Sequence, residues 1–133
     1  MTSRRCSILE EGVRELLESD HYTVRIVPVG YNRRFIPVHL VATRGPGDTR
    51  YIRIRKAYRL RRTIRNIETL CRNEIMLYRK ILSQPDRIPG LHCEIWIYSL
   101  YYGFHCFEVL AGCIREIPRL PADTAGLVPE GDE

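Results

Sequence analysis

Leu9, Val13, Leu16 and Leu17 recur at spacings of four, three and one, which draws a single apolar stripe along a helix. Ser7 stands three residues before Glu10 in a capping pattern, so this helix is expected to start there and to end near Asp20. Tyr22, Val24 and Ile26 then alternate with Thr23, Arg25 and Val27 as in a strand. Gly30-Tyr31-Asn32 reads as a turn and Phe35 to Ala42 as a second strand, closed by the Gly/Pro turn Arg44 to Asp48. Tyr51 to Ala57 makes a third strand, with Ile52 and Ile54 on one side and Tyr51, Arg53 and Arg55 on the other.

A second helix is predicted from about Ile67 to Ser83. Its stripe is Ile67, Leu70, Cys71, Ile75, Leu77 or Tyr78, and Leu82. Gln84-Pro85-Asp86 ends it, because proline cannot continue the hydrogen-bond ladder. Leu91 to Tyr98 and Phe104 to Leu110 form a hairpin across Tyr101-Tyr102-Gly103, with Ile95, Ile97, His105 and Phe107 turned to the core and Trp96 packed beneath a helix. Tyr101 and Tyr102 are the pair expected at the surface.

The order is α-β-β-β-α-β-β. It predicts one α/β domain over residues 1–117, a mixed central sheet flanked by helices. The second helix is a crossover, which allows the third and fourth strands to run parallel. Residues 118–133, with prolines, glycines and four acids, read as a flexible tail.

Composition narrows the class without naming a function. A chain of 133 residues, 44% apolar and 28% charged, is of ordinary size and balance for one globular domain. No window reaches the roughly 18 apolar residues of a membrane span, and the first twelve residues hold no signal-like apolar run. The expectation is a cytoplasmic protein with no membrane partner. Five cysteines without a Cys-x-x-Cys pair do not match a zinc pattern. His92-Cys93 and His105-Cys106 would send only one member of each pair to any shared face. No metal and no cofactor is expected, and the cysteines read as reduced and mostly buried.

The net charge of +5 changes the picture through its chemistry. Lys56 and Lys80 are the only lysines among 21 basic residues, and arginine suits two-bonded recognition of phosphate or carboxylate. From Arg50 to Arg65 the chain carries eight basic residues and no acid. Arg50, Arg53, Arg55, Arg59, Arg61, Arg62 and Arg65 form a candidate nucleic-acid strip that would track phosphates without reading sequence. The same residues would serve as a surface paired with the protein's own acids, including Asp123, Glu130, Asp132 and Glu133.

The helix LEEGVRELL, the strand HYTVRIV, then IPVHLVA and IRIRKA, followed by a helix and GLHCEIWIY, resemble the restriction-endonuclease-like fold of the PD-(D/E)XK superfamily. Archaeal Holliday junction resolvases and small archaeal proteins of that fold are the comparison, over roughly residues 5 to 110. The resemblance implies former active-site positions at Glu10, His39, Arg53 and Arg55. His39 replaces the motif aspartate, Arg53 the glutamate and Arg55 the lysine. Magnesium needs oxygen ligands and is repelled by a neighbouring arginine, so the resemblance implies a scaffold without catalytic residues.

Three readings remain open. The first is an inactive nuclease-fold protein that binds DNA or RNA through its arginines. The second is a protein-interaction or structural module, homodimeric through the aromatic hairpin. The third is a metal-dependent nuclease with acids relocated to Glu68 and Glu74. In the inactive fold Glu10 is expected to pair with Arg53 or Arg55.

Overall fold

A computed structural model of the chain describes residues 8–27, 38–57, 64–99 and 103–118. Six strands form one mixed sheet whose spatial order follows the chain: β1 (Thr23–Ile26), β2 (Leu40–Thr43), β3 (Thr49–Ala57), β4 (Leu91–Ser99), β5 (Gly103–Val109) and β6 (Ile114–Ile117). β3 and β4 run parallel over the whole span from Thr49↔Leu91 to Ala57↔Ser99. All other neighbours are antiparallel. Helix α1 (Ile8–Ser19) precedes β1, and α2 (Ile64–Leu70) and α3 (Arg72–Leu82) make the crossover that a parallel joint requires. No helix among the described residues is long and apolar enough to cross a membrane.

Strand alternation divides the core in two. Ile52, Ile54, Trp96, Phe104 and Cys106 pack against Val13 and Leu17 of α1. On the opposite face Cys93, Ile95, Ile97, Phe107 and Val109 pack against Ile67, Cys71, Ile75 and Tyr78 of α2 and α3. Trp96 is fully buried, as its alternation predicts, with Phe104 edge-on at 5.9 Å. Of the pair left open by the sequence, Tyr78 is the buried one and Leu77 is half-buried.

Two glycines fix how the crossover returns to the sheet. Gly90 has φ +74°, and a Cβ there would run into the Gly47 carbonyl of the β2–β3 turn. Thr49 N–H donates to the Gly90 carbonyl at 3.2 Å, closing the start of the parallel joint. Only a residue without a side chain permits that approach.

The architecture departs from the predicted order in three places. The second helix is two helices, broken at Cys71 (φ −111°, ψ 27°). A sixth strand, Ile114–Ile117, pairs with β5. The second strand begins at Leu40 among the described residues, while Phe35 to Pro37 lie outside them. Also outside are Ser7, Gly30 to Asn32, Tyr101 and Tyr102, and the expected tail from Arg119 onward.

Candidate functional site

Arg53 and Arg55 lie two apart on β3 and so project to the same face, beneath the α2–α3 elbow. At the elbow Cys71 keeps its helical bonds, its N–H to the Ile67 carbonyl and its carbonyl from the Ile75 N–H, both at 2.9 Å, while the carbonyl of Leu70 accepts a hydrogen bond from Arg55 Nη1 at 2.9 Å. A guanidinium thus caps the end of α2, where helix carbonyls lack intrahelical donors.

Glu74, in the first turn of α3, is the acid that meets both arginines. Arg55 Nη1 lies 3.3 and 3.1 Å from its two oxygens, and Arg53 Nε lies 3.5 Å from Oε2. Glu74 is 11% exposed, the arginines 26% and 29%. Arg53 Nε is buried and, among the described residues, has no hydrogen-bond acceptor. The nearest acid oxygen, Glu74 Oε2 at 3.5 Å, answers its charge without a close hydrogen bond.

These side chains border a groove of about 640 Å³. Arg72, Asn73 and Thr69 complete its polar lining, and Leu70 and Leu77 its apolar wall. Cys71, buried at the break, has its thiol pushed up to about 11 by burial, against the pull of Arg55. It stays protonated and contributes no nucleophile to the groove.

On the α1 face the charges are arranged differently. Arg50 Nε donates to Asp48 at 2.9 Å, and Arg50 Nη1 to Glu94 Oε2 at 2.8 Å. The other oxygen of Glu94 accepts from Trp96 Nε1 at 2.9 Å. Glu94 is fully buried, and Asp48 also accepts from the Tyr22 hydroxyl at 3.1 Å. Burial alone would raise the Asp48 pKa, but Arg50, Tyr22 and Arg44 hold it below its ordinary value. Next along the sheet, Glu108 bonds His92 Nδ1 at 2.7 Å and Arg115 Nη2 at 3.0 Å. Burial pushes its pKa up, and His92 and Arg115 outweigh that to leave it lowered.

The sequence-predicted positions separate accordingly. Arg53 and Arg55 come together at the groove, and Arg65 is exposed on α2. Arg50 does not join them. It sits at odd spacing from both on β3, so it turns to the α1 face and is engaged there by two acids. Arg59, Arg61 and Arg62 lie outside the described residues. Glu10 is buried on α1, and α1 packs on the face opposite Arg53 and Arg55. The expected pairing with Glu10 is therefore corrected to Glu74, because the acid must come from the helices covering the arginines' own face.

His39 precedes β2 and its Nδ1 accepts the Ile54 N–H at 2.9 Å. The ring extends the β2–β3 ladder by one bond, and an accepting Nδ1 leaves the single proton on Nε2. Glu68 is exposed on α2. Among the described residues no group of three or more His, Cys, Asp or Glu is placed to hold a metal ion. Arg72 was not foreseen as a site residue, although Arg65, Thr69 and Arg72 recur at spacings of four and three and so share a helical face.

No protein-family model matches the chain, and no curated protein is similar to it in sequence.

Proposed function

We propose that the groove between β3 and the α2–α3 elbow binds the phosphate groups of nucleic acid, on a restriction-endonuclease-like scaffold without the metal-binding acids. The observation that supports this reading most is the imbalance of donors and acceptors. Arg53 and Arg55 share one carboxylate, and Arg72 lines the same groove. A phosphate oxygen is the acceptor such a set of guanidinium forks suits best.

Relocation of the metal site to Glu74 fits less well. That carboxylate is already engaged by two cations within 3.5 Å, and their field would repel a divalent ion. Branched, duplex and single-stranded DNA incubated with Mg²⁺ or Mn²⁺ should stay intact. Cleavage that disappears in Glu74→Ala would overturn the inactive-scaffold reading.

Binding itself is tested by fluorescence anisotropy with labelled oligonucleotides across a salt series. The logarithm of affinity should fall linearly with that of salt, by about 0.7 per phosphate neutralised on single strands and 0.9 on duplex. Arg53→Ala and Arg55→Ala should flatten the slope by roughly one each. No binding at low salt, together with a concentration-dependent dimer, would favour the protein-interaction reading instead.

A further inference from the structure

Charge, size and shape at the groove say more than that it attracts phosphate. Among the described residues that line the groove, three guanidinium groups, Arg53, Arg55 and Arg72, accompany one carboxylate, Glu74, which leaves two positive charges in excess. A phosphodiester inside a nucleic-acid strand carries one negative charge. A phosphate monoester at a chain end carries about 1.5 to 2 near neutral pH, because its second proton leaves near pH 6. The excess matches the monoester.

Size points the same way. A volume of about 640 Å³ falls within the roughly 300–1,000 Å³ typical of small-molecule sites. The donors also converge. Same-face residues on a strand are about 7 Å apart, yet Arg53 and Arg55 both reach Glu74 Oε2, at 3.5 and 3.1 Å. Glu74 holds the two cations directed at one point. Arg72, exposed on the first turn of α3, supplies the third side.

We infer, resting on the nucleic-acid reading above, that this groove recognises a terminal phosphate monoester on a nucleic-acid strand. Arg53, Arg55 and Arg72 bind its oxygens, and Glu74 sets the direction of the first two. The strand beyond the end contributes through ordinary backbone electrostatics.

The test compares one labelled single-stranded oligonucleotide in three forms: hydroxyl at both ends, 5′-phosphate, and 3′-phosphate. Affinity is measured at fixed salt and at two pH values on either side of 6. One phosphorylated form should bind at least tenfold tighter than the hydroxyl form, and which one does so identifies the end recognised. The preference should shrink below pH 6 as the monoester gains its second proton. Arg72→Ala, on an exposed position, should abolish the preference while circular dichroism and melting stay unchanged. Equal affinity for all three forms at low salt would overturn this inference and leave the backbone-binding reading standing. A preference that survives both Arg72→Ala and Arg55→Ala would also overturn it, since the end would then be held elsewhere. Failure of every form to bind would remove both readings together.

Discussion

On the α1 face Arg50 has a separate acid for each of two donors, Asp48 at 2.9 Å and Glu94 at 2.8 Å. Glu94 in turn satisfies the buried indole of Trp96. On the other face two arginines divide a single acid, at 3.1 to 3.5 Å, beside an open groove. The same residue type therefore serves opposite ends within five positions of one strand. Where the charge is enclosed, Arg50 Nε and Nη1 each meet an acid of their own, because an unanswered buried charge costs several kcal/mol. Where water and ligand have access, donors are left in excess, which is a condition for binding rather than for stability.

The comparison breaks first at Glu94. Replacing it by alanine leaves Arg50 Nη1 and the Trp96 N–H without their acceptor at a fully buried position. Loss of one partner from a buried pair costs about 3–5 kcal/mol, which urea unfolding would register as a lower midpoint with little change in slope. A loss below about 1 kcal/mol would mean that water reaches the pair and that the two faces do not differ as described.

Acid should erode the α1 face next. Asp48 and Glu108 both have lowered pKa values in the folded protein, despite burial that acts to raise them. A depressed folded value means that the contribution is complete above the unfolded value. It is lost as pH falls through the folded one. Melting temperature should therefore hold down to about pH 4.5, the ordinary value for Glu108, and drop below it. Glu108→Gln should flatten part of that drop. An unchanged profile in the variant would remove Glu108 from the account.

Glu74→Gln should give the smallest change in stability, under about 1 kcal/mol, since both arginines are partly solvated and such pairs contribute little. Its effect belongs to binding. With the competing anion neutralised, the hydroxyl-ended oligonucleotide should bind several-fold tighter while the melt barely moves. A variant that unfolds like Glu94→Ala would place Glu74 with the structural acids.

Much of the scaffold was readable because alternation and helical spacing are local. β3, β4 and β5 follow from period-two patterns, and α1 from one apolar stripe. The same parity placed Arg50 opposite Arg53 and Arg55, so its assignment to a common basic strip overlooked a signal that was present. β6 escaped notice because Ile-Arg-Glu-Ile is four residues long and is defined by pairing with β5 rather than by its own pattern. The break at Cys71 was illegible for another reason. Cysteine is an unremarkable helical residue, while the bond at that break comes from Arg55, remote in sequence, to the Leu70 carbonyl. Which helix covers which face is likewise a tertiary outcome. For that reason Glu74 could be named as an acid on the second helix, while the partner expected for the arginines was Glu10.

Gly90 and Gly47 meet where the crossover delivers β4 to β3, and that meeting bears on how the chain assembles. Each neighbour in the sheet is also the next strand in sequence, so the antiparallel joints pair segments that are near one another along the chain. The β3–β4 joint alone must bring together segments separated by the whole of α2 and α3. Closing a long loop before any contact rewards it is slow. Assembly is therefore expected to proceed as two meanders, β1–β3 and β4–β6, with their union setting the rate. Gly90→Ala obstructs the first rung of that union, and stopped-flow refolding should show it mainly as slower folding. An effect confined to the unfolding limb would put the union after the barrier, with the meanders joined in outline before the glycines touch.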